Sequence, residues 1–397
     1  MIVCFAGDKK YETCGKGMLI KLGDIHHFCA MEQETLEIFH HPGFIKRAKD
    51  FYESYDLKDV IITGNPNFSK RKMRKRQDRV CRFCDRGDGE TTFSNLSHLL
   101  SKHIGNSNMY SDFECDECNI KFSSFEDDLA AFLGFSRSII GLNKDKMTPG
   151  FDARRLKAKS RSFIGDNILI IAPEDVNREG NKTSITYTKN PFKPSGVYKA
   201  LLKYALSLLS EEGVKKNYHL AISYLNGDGI INNGAFVTGY KLSFGVNMPL
   251  HIYIYEKRDK NSKIPTHILT FNFQNNMITL PIPWHKDDIH FYQTPFDIPI
   301  PPPYFTDPKV MDISMPWSYN RDFSSEQEIR DEEETITTVI NAESLKDAVS
   351  YDPATDETVK RPYNPSGFKY IILTREGVTV DPKAFSAFIK EQMEKNN

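Results

Sequence analysis

The chain lacks the features that mark a membrane-spanning or exported protein. No stretch approaches the ~18 consecutive apolar residues of a membrane-spanning helix, and the first apolar run, residues 2–6, is shorter than the core of a signal peptide. A dominant charge is also missing, since 52 Lys and Arg residues face 53 Asp and Glu residues. The seven cysteines are an odd number without a disulfide framework. We therefore expect a cytoplasmic protein with reduced thiols and no membrane partner.

Two common catalytic signatures are missing from the second half of the chain. Gly227-Asp228-Gly229 is not continued into a dinucleotide-binding fingerprint, and no Gly-x-Ser-x-Gly elbow of a serine hydrolase is present. A length of 397 residues and a hydrophobic content of 39% suffice for two or three domains with their own cores. We therefore expect recognition or regulation, rather than catalysis, from the second half.

Four of the cysteines form two Cys-x-x-Cys pairs, Cys81/Cys84 and Cys115/Cys118. Each pair forms a turn that presents two thiolates together, so two such turns complete a tetrahedral shell of four sulfurs around Zn²⁺. A shell of four protein ligands leaves no position for a substrate, which makes this zinc structural. Any chemistry must then come from residues that the zinc holds in place.

The residues around the cysteine pairs predict a strand, a second strand and a helix. Residues 90–98 and 109–114 have strand patterns on either side of a Gly-Asn turn, and residues 119–133 have helical spacing. His98 ends the first predicted strand and Asn119 begins the helix, so a zinc clamp would bring them face to face. Glu126 lies two helical turns beyond Asn119 and on the same helix face.

This pattern resembles the HNH (ββα-metal) endonuclease superfamily, in particular zinc-bearing bacterial members. It is also similar to phage junction-resolving endonucleases, in which an Asn directly follows the last zinc cysteine. The resemblance covers about residues 81–133 and continues more weakly into residues 187–209. It implies hydrolysis of phosphodiester bonds in DNA, or alternatively RNA, with His98 as general base. It further implies that Asn119 and Glu126 bind one catalytic divalent cation, Mg²⁺ or Mn²⁺.

The sequence departs from the family pattern at several positions. Relatives usually carry an acidic metal ligand immediately before the histidine, where this chain has Ser97, and Phe113 replaces another acid. Three nearby acids could compensate: Asp112, Glu114 and Asp116. Two alternatives to an active nuclease therefore stay open. One is a catalytically impaired zinc protein that binds nucleic acid, and the other is a nuclease effector gated by its C-terminal domain.

A basic run precedes the first cysteine pair and is a candidate contact for nucleic-acid phosphates, with DNA as the expected partner. The alternative is a solvated linker, and the sequence leaves an oligomeric state open. The residues that could bind phosphates are Lys70, Arg71, Lys72, Arg74, Lys75 and Arg76. An acidic run over residues 326–334 is expected to be a solvated helix start or tail.

We expect an α+β protein in which a zinc-bound ββα-metal module is followed by an α+β domain with an antiparallel sheet. The latter domain contains predicted strands at 168–173, 183–189, 251–257, 266–274 and 277–284 and predicted helices at 194–209 and 214–225. The predicted segments are an N-terminal α/β segment (1–78, ending in the basic run), the zinc module (79–135), a basic linker (136–165), the α+β domain (166–294) and a Pro-rich linker with an acidic appendage (295–397).

Overall fold

The computed structural model of the chain divides into two compact units. Unit 1 contains Met1–Arg137 and Pro191–Arg330, and unit 2 contains Ser138–Asn190 and Asp331–Asn397. The structure describes residues 2–4, 13–14, 17–22, 25–29, 36–62, 73–106, 108–135, 138, 150–163, 166–174, 176–179, 182–228, 235–241, 250–273, 276–288, 299–305, 317–339, 349–352, 357–360, 371–374, 381, 383–384 and 386–388.

The described elements comprise helices and mainly antiparallel strands, which confirms the predicted α+β class. The helices are α1 (Ile45–Ser54), α2 (Asp116–Leu133), α3 (Pro194–Leu208), α4 (Glu211–Asn217) and α5 (His219–Asn226). The strands are β1 (Ile2–Cys4), β2 (Thr13–Cys14), β3 (Gly17–Leu22), β4 (Ile25–Cys29), β5 (Leu36–His40), β6 (Tyr55–Ile62), β7 (Ser97–His98), β8 (Tyr110–Ser111), β9 (Phe151–Ala153), β10 (Leu156–Phe163), β11 (Asp166–Pro173), β12 (Val176–Glu179), β13 (Lys182–Thr188), β14 (Phe236–Lys241), β15 (His251–Lys257), β16 (His267–Phe273), β17 (Asn276–Pro281), β18 (Tyr304–Phe305), β19 (Trp317–Asp322), β20 (Glu333–Val339), β21 (Val349–Asp352), β22 (Glu357–Lys360) and β23 (Ile371–Thr374).

A six-stranded antiparallel sheet with the order β19-β14-β17-β16-β15-β6 is the largest sheet in the described part of unit 1. The predicted strands at 251–257, 266–274 and 277–284 correspond to β15, β16 and β17, whose β-branched and aromatic residues favour a pleated sheet. Strand β6 comes from the predicted N-terminal segment and pairs with β15. Residues 55–62 are therefore part of a sheet whose other strands come from much later in the chain.

Helix α1 packs against this sheet through the face that its helical spacing indicates. Ala48 and Phe51 are fully buried, and Phe51 contacts Tyr255 of β15 edge to face at a centroid distance of 4.8 Å. Tyr253, Tyr304 and other aromatic side chains continue this core. Strand β18, within the predicted Pro-rich linker, pairs with β5 and buries Tyr304 in the same core.

Helix α3 is buried along its length and packs against α2. It begins at Pro194, as predicted, because proline at the first helical position has no amide hydrogen to satisfy. Gly196 makes the close approach possible, since a Cβ there would overlap the carboxylate of Asp128 on α2. That carboxylate accepts the backbone N–H of Lys193, which immediately precedes α3. None of the helices in the described ranges is long and apolar enough to cross a bilayer.

The predicted helix over residues 214–225 is two short helices, α4 and α5, separated at Tyr218. The backbone of Tyr218 leaves the helical region with φ −125° and ψ 28°. Its side chain is buried, and its hydroxyl lies 2.6 Å from Nδ1 of His267 on β16. The break therefore coincides with a tertiary contact that a helical repeat does not contain.

Unit 2 contains a four-stranded sheet in the order β23-β11-β10-β9 and a three-stranded sheet in the order β12-β13-β20. Residues 150–163, predicted as part of a basic linker, instead form β9 and β10. Leu156 and Ala158 are buried, whereas Lys157 and Lys159 are exposed. This alternation with period two is the signature of a strand with one solvated face, which the basic composition obscured.

The acidic run predicted as a helix start or tail is partly a strand. Residues 333–334 begin β20, which pairs with β13. Lys189 lies 3.0 Å from Glu332, Arg154 lies 3.1 Å from Asp331, and Arg155 pairs with Glu333. Within unit 2, the basic and acidic segments therefore neutralise each other through neighbouring strands.

Candidate active site and metal centre

The four predicted zinc cysteines converge, which confirms the predicted cluster. Their Sγ atoms all lie within 4.8 Å of one another, and those of Cys84 and Cys115 are 3.7 Å apart. Zinc at ~2.3 Å from each sulfur gives a tetrahedron with edges of about 3.8 Å, so the four thiols fit this ion. A hydrogen bond from Cys118 lowers the pKa of Cys81, whereas the same interaction, together with burial, raises the pKa of Cys118.

The cysteines are held by a turn and by the start of α2. Cys81 and Cys84 lie on either side of a tight turn, in which the N–H of Asp85 donates to the carbonyl of Cys81. Cys115 is the last residue before α2, and Cys118 lies in its first turn. Arg86 donates to Sγ of Cys84 at 3.4 Å, which places a positive charge beside the thiolates.

The predicted strand, strand and helix are present, with shorter strands and an earlier helix start. Strands β7 and β8 pair antiparallel over two residues each, and α2 begins at Asp116 rather than at Asn119. The carboxylate of Asp116 accepts from the Thr92 hydroxyl at 2.5 Å and from the amides of Ser94 and Asn95. These bonds tie residues 92–95 to the helix start, so that segment cannot continue a strand.

His98 is half-buried on β7 and is held on several sides. Its ring lies 4.7 Å from that of Tyr110, the residue opposite it on β8. Its Nδ1 lies 3.5 Å from the side-chain amide of Asn106, whose Nδ2 also donates to the carbonyls of Leu100 and Met109. Burial, and then the charges of Lys102 and Lys203, lower the pKa of His98 to about 4. The imidazole is therefore neutral near pH 7, the form that accepts a proton, and the lowered pKa also makes it a weaker base.

Asn119 and Glu126 both lie on α2, as predicted, but their surroundings differ. Asn119 is half-buried in the first turn, immediately after Cys118. Oε1 of Glu126 lies 3.4 Å from Nζ of Lys203, a buried lysine on α3. The same Nζ lies 3.2 Å from Oε2 of Glu114. Glu126 therefore already has a cationic partner.

The acids that could compensate for Ser97 have partners of their own. Asp112 is buried and accepts from the backbone and side chain of Arg74, and Asp116 holds residues 92–95. Glu114 is fully buried beside Lys203, and burial raises its pKa to about 7 against the lysine charge. Besides the four cysteines, the described residues contain no other group of three or more His, Cys, Asp and Glu ligands close enough to hold a metal.

The basic run divides into three parts. Lys70, Arg71 and Lys72 lie outside the described residues. Arg74 bridges Asp112 and Glu211 at 3.3 Å each and thus has a structural role. The remaining two candidates, Lys75 and Arg76, are exposed, and Arg76 lies 3.4 Å from Asp88.

Two buried cations at the site were missed by the sequence reasoning. Arg82, between the first two cysteines, donates to the carbonyls of Leu206, Ser207 and Leu209 at the end of α3. It also lies 3.7 Å above the ring of Phe113, which explains why an aromatic residue suits that position. Lys203 interrupts the apolar sequence of α3, and a lysine amid leucines on a buried helix was the available signal.

Comparison with known proteins identifies no family for the chain. A scan against protein-family models, a search of curated proteins and a search of solved structures each found no match. Membership of the HNH superfamily therefore stays a prediction.

Proposed function

We propose that the protein is an HNH-type endonuclease that hydrolyses phosphodiester bonds of DNA, with RNA as the alternative substrate. One observation carries the proposal: the cysteine cluster anchors a hairpin and a helix, with half-buried His98 on the first strand and Asn119 immediately after the last cysteine. This combination is what the resemblance to the superfamily implies. A cytoplasmic location belongs to the same proposal, because the cysteines bind zinc only when reduced.

In the proposed reaction, His98 is the general base. Its neutral imidazole takes a proton from a water molecule while the water oxygen attacks phosphorus, and the bond from phosphorus to the leaving oxygen breaks. A divalent cation would stabilise the charge that develops on the phosphate and the leaving oxygen. Asn119 would contribute its amide oxygen to that cation, but the described residues do not supply a full ligand set, since Glu126 is paired with Lys203.

The ion pair between Glu126 and Lys203 specifically favours a second candidate function. A site that has Ser97 in place of an acid and a lysine on its remaining carboxylate binds Mg²⁺ weakly. The protein would then bind nucleic acid through the zinc module without cutting it. Cleavage assays separate these two functions directly.

The test is cleavage of supercoiled plasmid, single-stranded DNA and RNA by the full-length chain with Mg²⁺ or Mn²⁺. His98→Ala should abolish cutting, whereas the matched control His103→Ala, five residues further along, should retain it. EDTA followed by excess Mg²⁺, with zinc content measured, separates loss of the catalytic ion from loss of structural zinc. Binding without cutting by the zinc-loaded protein would reject the endonuclease in favour of the second candidate.

A further inference from the structure

The ammonium group of Lys203 lies at the junction of three pieces of the zinc module. Its Nζ donates to the backbone carbonyl of His98 at 3.0 Å and lies 3.2 Å from Glu114 and 3.4 Å from Glu126. These oxygens belong to β7, to the segment before Cys115 and to α2, respectively. The His98 carbonyl and Oε1 of Glu126 accept hydrogen bonds from the ammonium, whereas Glu114 is its ion-pair partner.

We propose that Lys203 is a positioning residue for His98. Only 1% of its side chain is exposed, so it cannot reach a substrate phosphate. It acts instead on the main chain of the residue that carries the imidazole. The inference deepens the proposed function and rests on it, because it concerns the same histidine.

Two sets of contacts hold His98, one through its strand and ring and the other through its backbone carbonyl. Pairing with Tyr110 holds the strand, and the ring of Tyr110 lies against the imidazole. The carbonyl of His98 points to Lys203, so rotation of this peptide would break a charge-assisted hydrogen bond in a buried site. Loss of that bond frees the backbone on which the proposed base is mounted.

A nearby lysine on the same helix forms an ion pair of the purely structural kind and provides a comparison. Lys199 lies one turn earlier on α3, is 13% exposed and lies 2.9 Å from the exposed carboxylate of Glu326. In the described contacts its ammonium faces that carboxylate and the rings of Phe125 and Tyr224. Lys199→Met therefore removes a comparable ammonium from the same helix and serves as the matched control.

Removal of Lys203 alone leaves two carboxylates facing each other and could prevent folding. The variant Lys203→Met with Glu114→Gln removes one positive and one negative charge, so the net charge of the cluster is unchanged. A structural ion pair predicts that this double variant recovers both fold and activity. Positioning predicts that the fold recovers while His98 remains displaced, because its carbonyl still lacks a donor.

The first readout is the pH titration of the His98 imidazole, measured by NMR of the full-length protein with ¹⁵N-labelled histidine. The His98 signals are assigned by comparison with the spectrum of His98→Ala. The charged groups facing His98 are Lys102 and Lys203, and the Tyr110 ring packs on it. The Lys203→Met, Glu114→Gln double variant keeps the net charge of the cluster, so a changed titration midpoint or tautomer of His98 in it reports a displaced ring, whereas Lys199→Met should leave both unchanged. A midpoint and tautomer identical in all three proteins would overturn the proposal.

The second readout is cleavage, which also separates failure of the positioning role of Lys203 from failure of the proposed function. The double variant should retain zinc and lose at least about tenfold in kcat with KM unchanged, as expected for a displaced base. Recovery of full kcat, or failure of both variants to fold, would make Lys203 a structural residue and refute the positioning role. If the wild-type protein does not cut at all, the proposed function fails, and the NMR titration still decides the role of Lys203.

Discussion

Acid should destabilise unit 1 through His40, a histidine remote from the candidate site. His40 is 3% exposed, and its Nδ1 lies 3.3 Å from the carbonyl of Pro303. Because a carbonyl can only accept, Nδ1 carries the proton, and Nε2 accepts from the hydroxyl of Tyr52 at 3.3 Å. Burial lowers the pKa of His40 from 6.5 to about 4, despite the opposing bond to Pro303.

The sign and size of the effect follow from this difference. The unfolded chain takes up a proton at His40 near pH 6.5, whereas the folded protein does so only near pH 4. The stabilisation is therefore complete above pH 6.5 and is lost as the pH falls to about 4. A difference of about 2.5 pH units at ~1.4 kcal/mol per unit amounts to about 3 kcal/mol of unfolding free energy.

Urea denaturation monitored by tryptophan fluorescence is a suitable assay, because both tryptophans, Trp284 and Trp317, belong to unit 1. Wild-type protein should lose about 3 kcal/mol more than His40→Gln between pH 7.5 and pH 4. The exposed His219, replaced in His219→Gln, provides the matched control and should follow the wild type. His98 and His267, whose pKa values burial also lowers to about 4, titrate equally in all three proteins and cancel. A difference between His40→Gln and wild type that does not change with pH would refute this reasoning.

Three further predictions concern the zinc module. Cys81→Ser and Cys118→Ser should each lose the bound zinc, measured by atomic absorption, and full zinc content in either variant would contradict the four-sulfur site. Replacing exposed Lys75 and Arg76 by Gln should reduce the slope of log affinity for DNA against log salt by about 2 if both contact phosphates, and an unchanged slope would exclude them. Arg82→Met should lower the unfolding free energy by about 2–4 kcal/mol in the same fluorescence assay, because three carbonyls at the end of α3 lose a charged donor; a change below ~0.5 kcal/mol would show that water replaces it.

Local sequence determined several elements of this protein. The Cys-x-x-Cys spacing predicts the cluster because each pair brings its own two sulfurs together within a single turn of the chain. In the structure the four cysteines do converge. Pro194 and the following apolar stripe predict α3 almost to its ends. The runs around residues 251–284 predict β15, β16 and β17 because strand propensity and short turns are also local properties.

Tertiary structure alone decided which partners these elements found. Strand β6 pairs with β15 across almost 200 residues of chain, and a strand pattern does not specify its neighbour. Arg154 and Arg155 have the composition of a phosphate-binding arm, yet they pair with acids beyond residue 330. A charge in the sequence can face solvent, a phosphate or an opposite charge, and only the fold selects among these.

The candidate site depends on both kinds of information. The sequence predicts His98, Asn119 and Glu126 as site residues, because they match positions of the motif that the chain resembles. Only the packing of α3 against α2 brings Lys203 to the carbonyl of His98 and to the carboxylate of Glu126. A buried ammonium is stable only where several oxygens replace its water, and such an arrangement arises from segments distant in the chain.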